Sequence, residues 1–269
     1  MRLIENDTNG CSSGQVLVLI RHGVDVSVLS KDLNQPLTEE TKPDIRTLAK
    51  QVIKFCEKTR TKTTRIWHSN RLRAIQTASI VAEEFFSANI PTEISETTGV
   101  REIYQGDFVI KNHTHGNDYK LLVDAWQAWQ EKLDASELLY RFGNPNIREG
   151  DRAEYPELEG WFEKFGEHQA DFSLRIYSFL RELFECNGDD LQIVIGHQAS
   201  CSRIQRIVNA ARTIASAHDF QHGEFVKFLE KKGLRINIEP AGGVVIKKPE
   251  RILIISILKK EIGYLKSIV

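Results

Sequence analysis

The fold of this chain is decided by the stretch VLVLIRHG at residues 16–23. Its first five residues are all apolar, which is typical of a strand that is covered on both faces in a parallel sheet. A second buried strand is predicted at residues 192–195 and a shorter one at residues 65–68. Because segments with the apolar spacing of helices separate these strands, the sequence predicts an α/β fold.

The helices are predicted from apolar spacing and from the residues that cap helix ends. After the first strand, Thr38 indicates an N-cap that is followed by two acidic residues in the first turn. Thr41 is the alternative cap, because the proline two residues later is most easily accommodated in a first turn. Ser69 is predicted to cap the next helix, and two further strands are predicted at residues 224–229 and 251–258. We therefore predict a three-layer sandwich with a mostly parallel central sheet and helices on both faces.

The whole chain, residues 1–269, is predicted to form a single α/β domain. Residues 1–14 are polar and end in Gly and Ser, so we expect a flexible leader. From about residue 106 to 166 the sequence becomes richer in Trp, Asn, Gly and charged residues. We interpret this segment as an insertion that caps the crevice at one end of the sheet, and not as a second domain.

The composition is that of an ordinary soluble globular protein, with 41% hydrophobic and 27% charged residues. The formal net charge is −1, so no overall basic field attracts nucleic acid or an anionic membrane. No stretch approaches the roughly 18 consecutive apolar residues of a membrane-spanning helix, and no signal peptide is recognisable. The four cysteines stand far apart without metal-like spacing. We expect a cytoplasmic protein that binds neither nucleic acid nor membrane.

Charged and titratable residues follow the ends of the predicted strands. Arg21 and His22 end the first strand, and His197 follows the strand at residues 192–195. Arg73 lies four residues after Ser69, which places it one turn into the next helix. Because the carboxyl ends of strands in an open α/β sheet form the binding crevice, we expect these side chains to meet there. Arginine forks and helix N-termini bind phosphate oxygens, so the cluster suits a dianionic phosphoryl group.

Four motifs occur in a fixed order along the chain. They are LIRHG at residues 19–23, SNRLRAIQTA at 69–78, REIYQG at 101–106 and VIGH at 194–197. Together they resemble the motifs of the histidine phosphatase superfamily, whose branches include cofactor-dependent phosphoglycerate mutase and fructose-2,6-bisphosphatase. The resemblance spans about residues 15–230. A lone R-H-G is weak evidence, whereas four ordered motifs at predicted strand ends and helix starts are specific.

The resemblance implies a role for each of five residues. His22 would attack phosphorus in line and form a phosphohistidine, while Arg21, Arg73 and His197 would bind the phosphate oxygens. His197 would thereby belong to both the catalytic and the phosphate-binding set. Glu102 would protonate the leaving oxygen and then activate the water that hydrolyses the phosphohistidine, a contribution that is typically about 10²–10⁴ in rate.

We expect neither a metal nor a cofactor, because no carboxylate cluster in the sequence suggests a catalytic metal site. His113, His115 and Asp118 could suggest zinc, since alternate residues of an extended segment project from one face. No further ligand stands at a matching spacing, so a polar loop at the mouth of the pocket is the preferred interpretation.

The sequence therefore predicts a phosphatase of the histidine acid phosphatase or phosphomonoesterase type. Its substrate is expected to be a small phosphorylated metabolite such as a sugar, an acid or a nucleotide. Two alternatives are a phosphotransferase of the phosphoglycerate mutase type and a catalytically silent phosphate-binding regulatory protein. The intact set of five residues speaks against the silent protein, and the lack of a Pro-rich stretch in the insertion speaks against the mutase. The sequence does not indicate the oligomeric state.

Among the departures of the motifs from the family pattern, two that bear on substrate identity lie just after the two histidines. The acidic residue that often follows R-H-G directly is replaced by Val24. Gln198 stands where Gly commonly follows the second histidine. We expect the backbone N–H of Gln198 to be able to face the phosphate as the glycine N–H does.

Overall fold

The computed structural model describes residues 3–5, 16–24, 35–102, 169–186, 190–213 and 238–268. The predicted cap at about 106–166, the predicted strand at 224–229 and the histidine-rich loop lie outside these residues. So does most of the predicted leader.

Strands and helices alternate along the described part of the chain. The strands are β1 (Leu3–Glu5), β2 (Val16–Arg21), β3 (Thr64–Ser69), β4 (Thr92–Thr97), β5 (Leu191–Gly196) and β6 (Gly243–Lys247). The helices are α1 (Lys42–Thr59), α2 (Leu72–Ser87), α3 (Gln169–Glu185), α4 (Gln198–Thr213) and α5 (Arg251–Ile268). Single 3₁₀ turns at Glu39–Thr41 and Thr98–Val100 precede α1 and follow β4.

The strands form one sheet in the order β1-β6-β2-β5-β3-β4. The pairs β2–β5, β5–β3 and β3–β4 are parallel. Strand β6 runs antiparallel to β2, and β1 runs parallel to β6. The prediction of a mostly parallel sheet is confirmed, with the direction changing only where β6 joins β2.

Side chains on the two faces of the sheet pack into two separate cores. Val16, Val18 and Ile20 of β2 pack with residues of α1 and α2. Leu17 and Leu19 pack on the other face with residues of α3, α4 and α5. All five are fully buried because successive strand residues point to opposite faces and helices cover both. The three-layer architecture predicted from the apolar run is confirmed.

The predicted strand at residues 251–258 is wrong, because these residues begin the helix α5. A short apolar run with several isoleucines is compatible with either a strand or a buried helix. The buried positions Ile254, Ile257, Leu258, Ile262 and Leu265 follow helical spacing, and this face packs into the same core as α3. Tertiary packing therefore overrides the strand preference of the individual residues.

The prediction of a flexible leader does not hold for Leu3–Glu5, which form the edge strand β1. The N–H of Leu3 donates to Oε1 of Gln51 at 2.7 Å, and Lys58 forms an ion pair with Glu5 at 3.3 Å. Main-chain pairing with β6 and these two contacts to α1 hold the segment on the sheet.

Candidate active site

The two histidines lie side by side at the carboxyl edge of the sheet. Arg21 and Gly196 are register partners of the parallel strands β2 and β5, and the N–H of His22 donates to the carbonyl of Gly196 at 3.0 Å. The imidazole rings of His22 and His197 approach with their centroids 4.8 Å apart and their planes at 60°. The sheet therefore brings together two residues that are distant in sequence, as the strand-end argument predicts.

A turn before β6 supports the end of β2 from the other side. The N–H of Arg21 donates to the carbonyl of Gly242 at 3.1 Å, and the N–H of Ala241 donates to the carbonyl of His22 at 3.0 Å. Main-chain hydrogen bonds from β5 and from this turn thus hold both sides of Arg21 and His22.

Arg73 bridges the two imidazoles from the first turn of α2. Its Nε donates to Nε2 of His22 at 3.1 Å, and its Nη2 lies 3.3 Å from Nδ1 of His197. The hydroxyl of Thr77 donates to the Arg73 carbonyl at 2.7 Å and accepts from the N–H of Gly23 at 3.3 Å. The start of α2 is thereby fixed against the segment that follows His22.

The hydrogen bonds of His22 determine its tautomer. Nδ1 lies 2.6 Å from the carbonyl oxygen of Gly23, which can only accept, so Nδ1 carries the proton. Nε2 is then unprotonated and directs its lone pair toward the guanidinium group of Arg73. Burial and, secondarily, the charge of Arg73 lower the pKa of His22 to about 3. His22 is therefore neutral near pH 7, with a nucleophilic nitrogen facing the cluster.

His197 is fully buried and has the opposite tautomer. Nδ1 faces Arg73, which can only donate, so Nε2 carries the proton and donates to Oγ of Ser69 at 2.9 Å. Burial, followed by the neighbouring His22 and Arg73, holds the pKa of His197 well below its usual value. The N–H of His197 donates to Oγ of Ser200 at 3.0 Å, which fixes its backbone at the start of α4.

Thr38 and Thr41 lie at N-cap positions, of the 3₁₀ turn Glu39–Thr41 and of α1, as predicted, whereas the third predicted cap, Ser69, is not the cap of α2. The N-cap residue of α2 is Arg71, while Ser69 is the last residue of β3, and its Oγ accepts from the N–H of Arg71 at 3.3 Å and contacts His197. Neither Thr38 nor Thr41 makes a side-chain capping bond. Oγ1 of Thr41 instead accepts from the N–H of Val24 at 3.2 Å, which connects the first turn before α1 to the segment after His22.

Arg21 is held by a side chain that the sequence argument missed. Its Nη1 donates to the carbonyl of Ile238 at 3.1 Å and to Oε1 of Gln198 at 3.3 Å. Nε2 of Gln198 donates to Oγ of Ser202 at 3.1 Å, which is consistent with the amide oxygen facing the arginine. The sequence signal for this contact is the presence of Gln198 where the family commonly has Gly. The buried Nε of Arg21 has no hydrogen-bond acceptor among the described residues.

Glu102 lies at the edge of this cluster, two residues after the 3₁₀ turn Thr98–Val100. Its Oε2 is 3.7 Å from Nδ1 of His197, and its side chain is 29% exposed. The carboxyl group therefore lies between the buried imidazole and solvent. All five residues predicted for the site thus lie in one cluster.

The remaining features of the described residues add no further site. No three His, Cys, Asp or Glu side chains in this part of the chain are grouped so that they could hold a metal ion. None of the described helices is both long and apolar enough to cross a membrane. Cys56, Cys186 and Cys201 are free thiols.

The fold and the site define an α/β protein with two histidines and two arginines at the carboxyl edge of a mostly parallel sheet. The family model of the histidine phosphatase superfamily (branch 1) matches residues 17–144. The matched residues carry three of the four motifs, so the resemblance to the histidine phosphatase superfamily found in the sequence is confirmed.

Two bacterial proteins of known structure share this fold. A putative alpha-ribazole-5'-P phosphatase from Escherichia coli superposes with a TM-score of 0.53 at 15% identity, covering 88% of this chain and 92% of that one. A mycobacterial glucosyl-3-phosphoglycerate phosphatase in complex with VO3 gives a TM-score of 0.50 at 16% identity, covering 86% of this chain and 90% of that one. At these identities the likeness concerns the fold alone. Comparison with curated protein sequences finds no match.

Proposed function

We propose that the protein is a phosphatase that hydrolyses a small phosphomonoester through a phosphohistidine on His22. The observation that carries this proposal is the state of His22. Its Nδ1 proton is engaged by Gly23, its pKa is lowered to about 3, and its unprotonated Nε2 points at Arg73. A neutral imidazole in this orientation can attack phosphorus without first losing a proton.

The charges around His22 suit the oxygens of a phosphoryl group. Arg73 contacts both imidazoles and would exchange these contacts for phosphate oxygens, since a charged oxygen is the stronger acceptor. The buried Nε of Arg21, which has no acceptor in the described part of the chain, would gain one. Donors that are already fixed before the reaction stabilise the transition state without reorganisation.

The proposed reaction has two steps that return the enzyme to its starting state. First, Nε2 of His22 bonds to phosphorus, the bond from phosphorus to the ester oxygen breaks, and Glu102 gives its proton to that oxygen. Second, Glu102 takes a proton from water, whose oxygen bonds to phosphorus as the bond to His22 breaks. Inorganic phosphate leaves, and Glu102 is protonated again. The position of Glu102, 3.7 Å from His197 and partly exposed, supports this role.

We also propose the class of substrate, the independence from cofactors and the cellular location. The substrate would be a small phosphorylated metabolite, held by the local cationic cluster because the net charge of the chain is only −1. We propose that the reaction needs no metal or cofactor and involves neither nucleic acid nor a membrane. We further propose one domain, with the segment at about 106–166 covering the pocket, and a cytoplasmic location, with which the three free thiols agree.

The test is release of inorganic phosphate from a panel of phosphorylated metabolites and from p-nitrophenyl phosphate, with a chelator present. We expect turnover of at least one metabolite by the wild type and none by His22→Ala, together with loss of acid-labile labelling from a radioactive substrate. His68→Gln is the matched control, because His68 is a buried histidine on β3 whose Nδ1 contacts the Ser69 carbonyl at 3.0 Å. It should retain both turnover and labelling.

Three results would contradict the proposal. Retained turnover in His22→Ala would remove His22 as the nucleophile. Transfer of the label to a second metabolite, with little free phosphate, would identify a mutase-type phosphotransferase. Activity that disappears with the chelator and returns with a metal would overturn the proposed metal independence.

A further inference from the structure

Arg175 of α3 contacts the segment that leads into Glu102. Its Nη1 donates to the carbonyl of Thr98 at 2.6 Å, to that of Gly99 at 3.2 Å and to that of Arg101 at 3.1 Å. Hydrogen bonds from a charged donor are roughly twice as strong as those between neutral groups. One guanidinium nitrogen therefore ties three carbonyls of a four-residue segment to one helix.

The same face of α3 also fixes this segment by packing. A Cβ atom on Gly99 would lie 2.3 Å from Cβ of Phe179, so the backbone of the turn rests directly on the helix. The guanidinium carbon of Arg175 lies 5.1 Å from the ring centroid of Phe172, within the range of cation–π attraction. Because Phe172, Arg175 and Phe179 are three and four residues apart, they share one face of the helix.

The hydrogen bond from Arg175 to the carbonyl of Arg101 restrains the backbone of Glu102, because the two residues share a peptide group. The carbonyl of Arg101 belongs to the same planar peptide group as the nitrogen of Glu102, so a bond that fixes this oxygen also fixes the Glu102 backbone. The carboxyl group of Glu102 then lies 3.7 Å from Nδ1 of His197. A displacement of about 1 Å in a reacting group can reduce the rate by about 10²-fold.

We propose that Arg175 is a positioning residue that orients Glu102 for proton transfer to the leaving group; this inference rests on the proposed function. Arg175 contacts the main chain that leads into Glu102, so we expect its effect on the reaction to pass through Glu102. It follows that Arg175 matters for esters whose leaving oxygen needs a proton and much less for p-nitrophenyl phosphate, whose leaving group is stable as an anion. A residue with only a structural role would affect both esters equally.

The test compares Arg175→Met with the wild type on p-nitrophenyl phosphate and on the best alkyl phosphomonoester of the metabolite panel. Methionine retains an aliphatic stem over Phe172 but removes all donors. We expect kcat for the alkyl ester to fall about 10²-fold, as for a displaced acid, with kcat for p-nitrophenyl phosphate within about threefold of wild type. The KM values should change little. Arg181→Met is the control, because Arg181 lies on the same helix and its ion pair within the described part of the chain is with the exposed Glu185 at 3.7 Å.

A double variant with Glu102→Gln shows whether the effect passes through the acid. In that background Arg175→Met should add no further loss on the alkyl ester. Equal losses on both esters, or a full additional loss in the double variant, would overturn the inference while leaving phosphohistidine chemistry intact. Absence of turnover by the wild type on both esters would remove the proposed function itself and the inference with it. Arg175→Lys keeps one charged donor and should therefore recover part of the kcat for the alkyl ester. If Arg175→Met does not fold, the two esters are compared with Arg175→Lys instead.

Discussion

The charge of Arg73 is predicted to control the protonation of His22, and replacing it tests the electrostatics of the pocket. The substitution Arg73→Gln keeps a polar group at about the position of Nε, the atom that contacts His22, and removes the positive charge. Burial is the largest cause of the low pKa of His22, and Arg73 is the next. The variant should therefore raise the pKa of His22 above about 3 without restoring the ordinary value of 6.5.

The size of this change follows from the geometry. Nε of Arg73 lies 3.1 Å from Nε2 of His22. Two unit charges about 4 Å apart repel by about 4 kcal/mol at an effective dielectric constant of about 20. This energy corresponds to roughly three pKa units as an upper limit, since the guanidinium charge is spread over several atoms and solvent enters the variant. We expect a rise of about one to three units.

The assay is a pH titration of the histidine Cε1–H resonances by NMR between about pH 4 and pH 8, with the His22 signal assigned from His22→Gln. In the wild type this signal should not titrate in the range, whereas Arg73→Gln should show a midpoint between about pH 4 and pH 6. Arg46→Gln is the control, because Arg46 is an exposed arginine paired with Glu83 and Glu84. A His22 midpoint near 6.5 in the wild type, or no change in Arg73→Gln, would refute the electrostatic argument.

Two further predictions concern stability and anion binding. Because the folded pKa of His22 lies below its unfolded value of 6.5, the unfolded chain binds the extra proton as the pH falls through 6.5, and stability is lost in that direction. Between about pH 6 and pH 4.5, His22→Gln should therefore reduce the slope of the unfolding free energy against pH by about 1.4 kcal/mol per pH unit. Urea denaturation at several pH values measures this slope, and a slope equal to that of the wild type would contradict the prediction. Gln198→Glu places a carboxylate where the amide oxygen lies 3.3 Å from Nη1 of Arg21, so it should compete with phosphate. We expect Gln198→Glu to bind inorganic phosphate about tenfold more weakly than the wild type, so that phosphate raises the melting temperature of the variant by less. Tighter phosphate binding by the variant would show that Gln198 does not hold Arg21.

Much of the fold could be predicted because the strands at its centre have an unambiguous pattern. The run from Val16 to Ile20 is apolar at every position, is short, and has a β-branched residue at three of its five positions, which together favour a strand covered on both faces. The start of α5 has a similar composition, but its helical periodicity becomes clear only when the buried positions reach Leu265. Strand β6 follows a turn in which Ala241 adopts a φ of 57°, and no short-range pattern indicated that it would pair antiparallel with β2.

Some residues of the candidate site could be predicted from the positions of strand ends, whereas others depend on contacts between side chains of distant elements. Arg21, His22 and His197 could be placed because residues that follow parallel strands share one edge of the sheet. The contact of Ser69 with His197 and that of Arg175 with Gly99 are not predictable from the sequence, because the partners lie 128 and 76 residues apart. Hydrogen bonds of this kind depend on the final packing of helices and have no local sequence signature.

The position of β2 between β5 and β6 has a consequence for synthesis on the ribosome. Strand β2 emerges early, yet both strands that pair with it, β5 and β6, belong to the last third of the chain. Neither edge of β2 can pair before β5 has been translated, and the edge that pairs with β6 stays open until β6 has been translated as well. At the usual pace of about 5–20 residues per second, this interval lasts on the order of ten seconds or more. An apolar strand with open edges readily pairs with other chains, so we expect β2 to be the segment of the nascent protein on which chaperones act most.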